Sequence, residues 1–193
     1  IDMVNQKYHD LKHQIAVLRS EVRSEEKTDC LDRMEREIKI YETQNKTGNE
    51  VLDAILTSKS IYCQGQNISL TCVADGRALH FMDTIDISSL FGNALDNAIE
   101  SVRQIPEEES EKRLIHLSVV KQKGFVRIRV ENYCEKEPVL KDGMPVTTKK
   151  DTRFHGYGLK SIQSTARKYG GSVTASVKNH WFELRVLLPE KAE

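Results

Sequence analysis

The sequence predicts an α+β protein in two parts: an amino-terminal helical hairpin that completes a four-helix bundle as a dimer, then an α/β sandwich with helices on one face of a mixed sheet. Two observations predict it. An a/d heptad seam runs through the first 45 residues. Beyond it, apolar patterns follow in the order helix, strand, helix, strand, strand, then a helix and a closing hairpin, the pattern of helices segregated to one side of a sheet.

Composition narrows the partners. The 193 residues suffice for one domain of ordinary size plus a small appendage. Twenty-nine basic residues balance 29 acidic ones, so nothing suggests direct nucleic-acid binding or a membrane-surface partner. Cys30, Cys63, Cys72 and Cys134 are far apart with no C-x-x-C pair. That argues for reduced thiols in a cytosolic setting over a disulfide framework or a zinc knuckle. No apolar run approaches the roughly 20 residues of a membrane helix, and no signal peptide is evident. The helical pattern is already under way at Ile1, as expected of a piece of a longer chain. Any membrane attachment is then expected only through segments absent from it.

Ile1, Val4, Tyr8, Leu11, Ile15, Leu18 and Val22 alternate spacings of three and four and form one seam. After a charged break from Arg23 to Lys27, Thr28 or Asp29 suits the cap of a second helix, where Leu31, Met34, Ile38 and Tyr41 repeat the spacing. One hairpin cannot enclose its own seam but two copies can, so residues 1–45 predict a homodimer. On this hairpin lies Tyr8-His9-Asp10-Leu11-Lys12-His13, which puts His9 and His13 at solvent-facing heptad positions. An exposed neutral imidazole beside a carboxylate suits a nucleophile whose tautomer the acid fixes. The same residues suit an ordinary coiled-coil surface. H-D-x-x-H also has the spacing of a zinc pair, but with Asp where the zincin helix has Glu and no third ligand evident.

Thr43 to Asn49 is polar, contains Gly48 and breaks the heptad, so the domains divide there as 1–46 and 47–193. Glu50 to Tyr62 then reads as a helix, Asn67 to Val73 as a strand and Ile85 to Ile105 as the next helix. Pro106 to Lys112 reads as a solvated loop, and Leu114–Val120 and Phe125–Val130 as strands joined near Lys123-Gly124. Residues 134–155 lack periodicity, and connections so long are usually functional lids or disordered. Leu159, Ile162, Ala166 and Tyr169 mark a helix stopped by Gly170-Gly171, and Ser172–Val177 with Trp181–Leu187 a closing hairpin.

The stretch around which the second domain is organised is Asn93-Ala94-Leu95-Asp96-Asn97-Ala98-Ile99-Glu100. Leu90, Phe91, Ala94, Leu95, Ala98 and Val102 make one apolar face, and Asn93, Asp96, Asn97 and Glu100 share the other. Asn and Asp each cost roughly half a kcal/mol against Ala in a helix. A stripe of amides without a base suits oxygen ligands for Mg²⁺ or hydrogen bonds to a nucleotide, and it also suits an incidental polar face. Further on, Thr147-Thr148-Lys149-Lys150 and Arg153 precede His155-Gly156-Tyr157-Gly158-Leu159. Glycines opening a helix behind basic residues suit a phosphate site, and a flexible helix start explains them equally.

There is no P-loop and no dinucleotide fingerprint. Taken in order, the hairpin histidine, the Asn-x-x-x-Asn helix, the basic loop and the G-x-G-L helix start resemble the sensor histidine kinases. The catalytic domain of those proteins shares the GHKL ATP-binding fold with gyrase, the Hsp90 chaperones and MutL. Asn93 to Ala98 looks like the N box, Gly156-Tyr157-Gly158-Leu159 the second glycine box, and His9-Asp10 the H box. The resemblance covers essentially the whole chain and is strongest to the Gram-positive quorum-sensing and peptide-sensing branch.

The resemblance implies ATP and Mg²⁺ as cofactors, with His9 as phosphoacceptor and Asp10 its helper. It also implies an ATP site of Asn93, Asn97, Asn132, Thr148, Lys149, Arg153, Gly156, Gly158 and Leu159, with Asn97 as the Mg²⁺ ligand. The implied partner is a response-regulator receiver domain, in this branch often joined to a LytTR-type DNA-binding domain. Departures are instructive. The usual Asp-x-Gly-x-Gly is missing, and Asn132 at a strand end takes its place against the adenine amino group. Glu100 stands where a basic residue is common, so phosphate charge falls to Lys149, or to Arg153 or Lys150. His13 stands where phosphatase-competent relatives carry Thr or Asn. Related ATPases carry a water-activating Glu at the Asn93 position; an amide cannot do this, which favours transfer to His over hydrolysis. The alternative is a non-catalytic dimeric ATP-binding or phosphorelay module.

Overall fold

A computed structural model describes residues 46–135, 138, 140–141, 144–145 and 157–190, all within one compact unit. The hairpin expected over residues 1–45 lies outside them. The elements are α1 (Glu50–Gly65), β1 (Ser69–Ala74), a 3₁₀ turn (Gly76–Leu79), α2 (Thr84–Val102), a 3₁₀ segment (Glu107–Lys112), β2 (Leu114–Gln122) and β3 (Phe125–Tyr133). A minimal pair, β4 (Leu140–Lys141) and β5 (Met144–Pro145), precedes α3 (Tyr157–Lys168), β6 (Ser172–Lys178) and β7 (Trp181–Pro189). The main sheet runs β1-β2-β3-β7-β6, with β1 parallel to β2 and every other neighbour antiparallel. The expected mixed sheet with helices against it is therefore present.

Local chemistry sets the element ends. Asn49 caps α1 by accepting the Leu52 N–H at 3.0 Å, and Thr47 donates both its N–H and its hydroxyl to Asp53 Oδ1 at 2.7 Å. Gly76 comes so near this cap that a Cβ there would lie 2.3 Å from Thr47 Oγ1, which only glycine avoids. The turns at Lys123-Gly124 and Asn179-His180 have positive φ at both central residues, the backbone twist that two-residue hairpins demand. Helix α3 stops in a Schellman motif: Gly171 N–H donates to Ala166 O and Gly170 N–H to Arg167 O, with Gly170 left-handed.

Helix α2 packs against both α1 and α3 and lies over β2 and β3. Its buried residues are Ile87, Leu90, Phe91, Ala94, Leu95, Ala98, Ile99 and Val102, which include the whole apolar face expected from the sequence. Under them lie Leu117, Val119, Ile128, Val130, Val186 and Leu188. Full burial of each large side chain is worth about 1.5–3 kcal/mol, so packing holds this helix together despite its Gly and Asn residues.

Two expectations change. The stretch from Pro106 is solvated as expected but forms 3₁₀ turns over Glu107–Lys112, and the 134–155 connection contains the short β4–β5 pair. Arg113 is buried and donates Nε and Nη2 to Ile105 O at 2.9 and 2.6 Å and Nη1 to Gln66 O at 2.8 Å, binding the chain just after α1 and just after α2 to one guanidinium. Among the described residues, no helix is long and apolar enough to cross a membrane.

Candidate functional site

Four polar residues, Ser89, Asn93, Asn97 and Ser101, stand one turn apart along α2. Beside them α3 runs antiparallel and is fastened at intervals. At one end the Asp86 carboxylate accepts Lys168 Nζ and Tyr169 Oη, each at 2.6 Å, while Tyr169 Oη accepts the Asp83 N–H at 2.8 Å. The Lys168 and then the Tyr169 hydrogen bond hold the Asp86 carboxyl below the usual carboxylate range. Midway, the Ser89 and Ser161 hydroxyls meet at 2.9 Å. The start of α3 then reaches the amides: a Cβ built on Gly158 would lie 3.5 Å from Asn93 Oδ1 and from both ends of the Asn97 amide.

The amides are not equivalent. Asn93 Nδ2 donates to Ser89 O at 2.7 Å, and a carbonyl only accepts, so Asn93 keeps its Oδ1 for another partner. Asn97 Nδ2 is buried without a hydrogen-bond partner. At the far end, buried Asn132 on β3 reaches α2 by donating Nδ2 to Ser101 Oγ at 3.0 Å. Such buried polar groups are normally satisfied, so an idle donor beside a bare glycine marks a place for a polar ligand. The groups fit the expected pair on chemistry. Asn93 Oδ1 suits a cation or its water. Asn97 suits a phosphate oxygen through Nδ2 or, after a half-turn of its amide, a cation through Oδ1.

Of the site residues expected from the sequence, Asn93, Asn97 and Gly158 meet, Asn132 joins them through Ser101, and Leu159 is half-buried against the core. His9, Asp10, Thr148, Lys149, Arg153 and Gly156 lie outside the described residues. The four-residue polar face divides: Asp96 is exposed and turns to α1, where Lys59 Nζ meets it at 2.5 Å. Sequence reasoning overlooked Ser89, Ser101 and Ser161. The repeat of four from Ser89 through Asn93 and Asn97 to Ser101 was a usable signal for the first two. Among the described residues no cluster of His, Cys, Asp or Glu could hold a metal ion. Cys63 and Cys72 are free thiols pushed up to about 11 by burial and so protonated, and Cys134 Sγ donates to His180 O at 3.4 Å.

A protein-family model described as "GHKL domain" matches residues 82–189, more than half of the chain. Comparison with curated proteins finds no match. Among solved structures, a nucleotide-free form of the catalytic domain of histidine kinase ThkA is 19% identical, with a TM-score of 0.56 over 73% of this chain and 91% of that one. A second nucleotide-free form of the same domain gives 17% identity and a TM-score of 0.55 over 75% and 94%. The Acinetobacter baumannii histidine kinase AdeS, at 10% identity, aligns over 97% of both chains with a TM-score of 0.49.

Proposed function

This chain belongs to the GHKL family, and from that premise we propose that it is the cytoplasmic kinase region of a membrane-bound sensor, transferring the γ-phosphoryl group of Mg-ATP to its own His9 and then to an aspartate of a response regulator. The observation that carries the reading is the pair of amides at Asn93 and Asn97, one turn apart, facing a glycine helix start and holding an idle buried donor. The amide at Asn93 cannot activate water, which suits positioning and charge neutralisation, the main needs of phosphoryl transfer.

In this reading Asn97, with Asn93 beside it, holds Mg²⁺, which when bound supplies neutralisation of charge on the triphosphate. Gly156 and Gly158 let backbone N–H groups approach phosphate oxygens, and Lys149, with Arg153 and Thr148, meets the remaining charge as residues 134–155 close over the nucleotide. Leu159 seats the helix start on the core, and Asn132 takes the adenine amino group. His9 attacks with its neutral nitrogen while Asp10 orients the ring or receives its proton. The hairpin of residues 1–45 pairs two copies, and the receiving regulator belongs to a class that in the quorum-sensing branch often carries a LytTR-type DNA-binding domain.

Incubation of the full chain with γ-labelled ATP and Mg²⁺ tests this. The expected label is acid-labile and base-stable, and it vanishes in His9→Gln and Asn97→Ala. Nucleotide binding without label would leave the non-catalytic ATP-binding module, and label that survives acid would point to a hydroxyl acceptor.

A further inference from the structure

Along β3 and β7 the residues that meet the helices in the core, Val126, Ile128, Val130, Leu184, Val186 and Leu188, alternate with residues that point away from them. Edge strand β6 shows how a plainly solvated stretch of that second face reads: Ser172, Thr174, Ser176 and Lys178 are all exposed. The two central strands read differently. Their outward positions hold Phe125, Tyr133 and Trp181 with Arg127, Arg129 and Arg185, and no lysine. Aromatic rings and arginine in place of lysine are the composition of a surface that meets another protein.

Charge on this face does not balance. Arg129 and Arg185 are cross-strand partners, and two carboxylates beside them are shared between them. Glu183 meets Arg185 Nη2 at 2.5 Å and Arg129 Nη1 at 3.6 Å, and Glu131 meets Arg129 Nη2 at 3.4 Å. Arg127 takes part in none of these pairs. Its Nε is buried without an acceptor, and so is Arg129 Nε on the same side of the strand. In register, Arg127 stands between Val120 of β2 and Leu187 of β7, with Phe125 two residues away on its own strand. Val120 and Phe125 are 36% and 42% exposed, so the spare guanidinium is flanked by apolar surface open to solvent.

We propose that this face docks a partner protein through a segment that sets carboxylates beside apolar side chains. A carboxylate goes to Arg127 and Arg129, and apolar groups go to Val120, Phe125 and Leu187. A guanidinium that takes a carboxylate side-on satisfies Nε and one Nη together, and among apolar neighbours the pair is screened less than in open water. Nucleic acid and anionic membranes fit less well, because both reward many free cations spread over many phosphates. Here two of the three arginines are already engaged by carboxylates. The face lies on the side of the sheet away from α2 and its amides, so the proposal stands apart from the nucleotide reading.

Trp181 is the sole tryptophan of the chain and lies on this face, so its fluorescence reports docking on the full chain. The probes are short synthetic peptides that alternate leucine with glutamate, with glutamine or with lysine. Wild type should bind the glutamate peptide at least about tenfold tighter than the glutamine peptide, and the lysine peptide least of all. Arg127→Gln should bring the glutamate and glutamine peptides within about threefold, and Arg127→Glu should reverse the order in favour of lysine. Failure of wild type to bind the glutamate peptide, equal affinity for all three, or a preference unchanged in both variants would each overturn the proposal. Wild type that binds phosphatidylglycerol vesicles but none of the peptides would overturn it in favour of a membrane. The wild-type comparison needs no substitution, so a variant that fails to fold does not shield the idea.

Discussion

Arg113 shows how much one side chain can carry away from any site. Its guanidinium serves two carbonyls, at Gln66 and Ile105, that follow the carboxy-terminal ends of α1 and α2. Arg113→Ala should lower unfolding stability by about 2–4 kcal/mol in urea titrations, through buried carbonyls left unpaired. Nucleotide affinity should change far less, because the bonds lie away from Asn93 and Asn97. The residue escaped sequence reasoning for a simple reason: a lone Arg after an acidic run looks like any solvated charge. The amides were legible because Asn is an uneconomical choice for a helix, and two of them at a spacing of four invite a chemical explanation.

At the scale of elements, the geometry lies in the pairing of α2 with α3. Gly158 has no positive φ and its Cβ would meet only ordinary van der Waals contacts at 3.5 Å, so alanine fits the free protein. Alanine favours a helix over glycine by up to about 1 kcal/mol. Gly158→Ala should therefore raise the melting temperature slightly yet weaken nucleotide binding about tenfold, by placing a methyl group against both amides. A melt and a nucleotide titration on one sample check the opposed signs. The Asp86 clasp gives a pH signature. Its carboxyl is held below the ordinary range, so its stabilisation is present above about pH 4 and disappears as acid protonates it. Asp86→Asn should be less stable than wild type at pH 7, with the gap closing as the pH falls below about 4 in parallel denaturation curves.

At the scale of the whole molecule, the heptad seam and the sandwich are expected to separate two tasks. The full chain should run as a dimer and Leu11→Asp or Ile15→Asp as a monomer, while residues 47–193 alone bind nucleotide with unchanged affinity and take up no label. Analytical ultracentrifugation and a labelling gel read these outcomes, and a Leu11→Asp chain that stays dimeric would place the seam elsewhere.

The order of elements, the apolar face of α2, the glycine stop of α3 and the pair of amides were all written in local patterns, because periodicity and turn chemistry act over a few residues. Tertiary structure alone decided which polar groups are used. It gave Asp96 to Lys59, joined Ser89 to Ser161, left Asn97 with an idle donor and brought Asn132 to Ser101. A side chain's hydrogen-bonding vacancy depends on neighbours brought from distant parts of the chain, and no spacing rule along one helix contains that information.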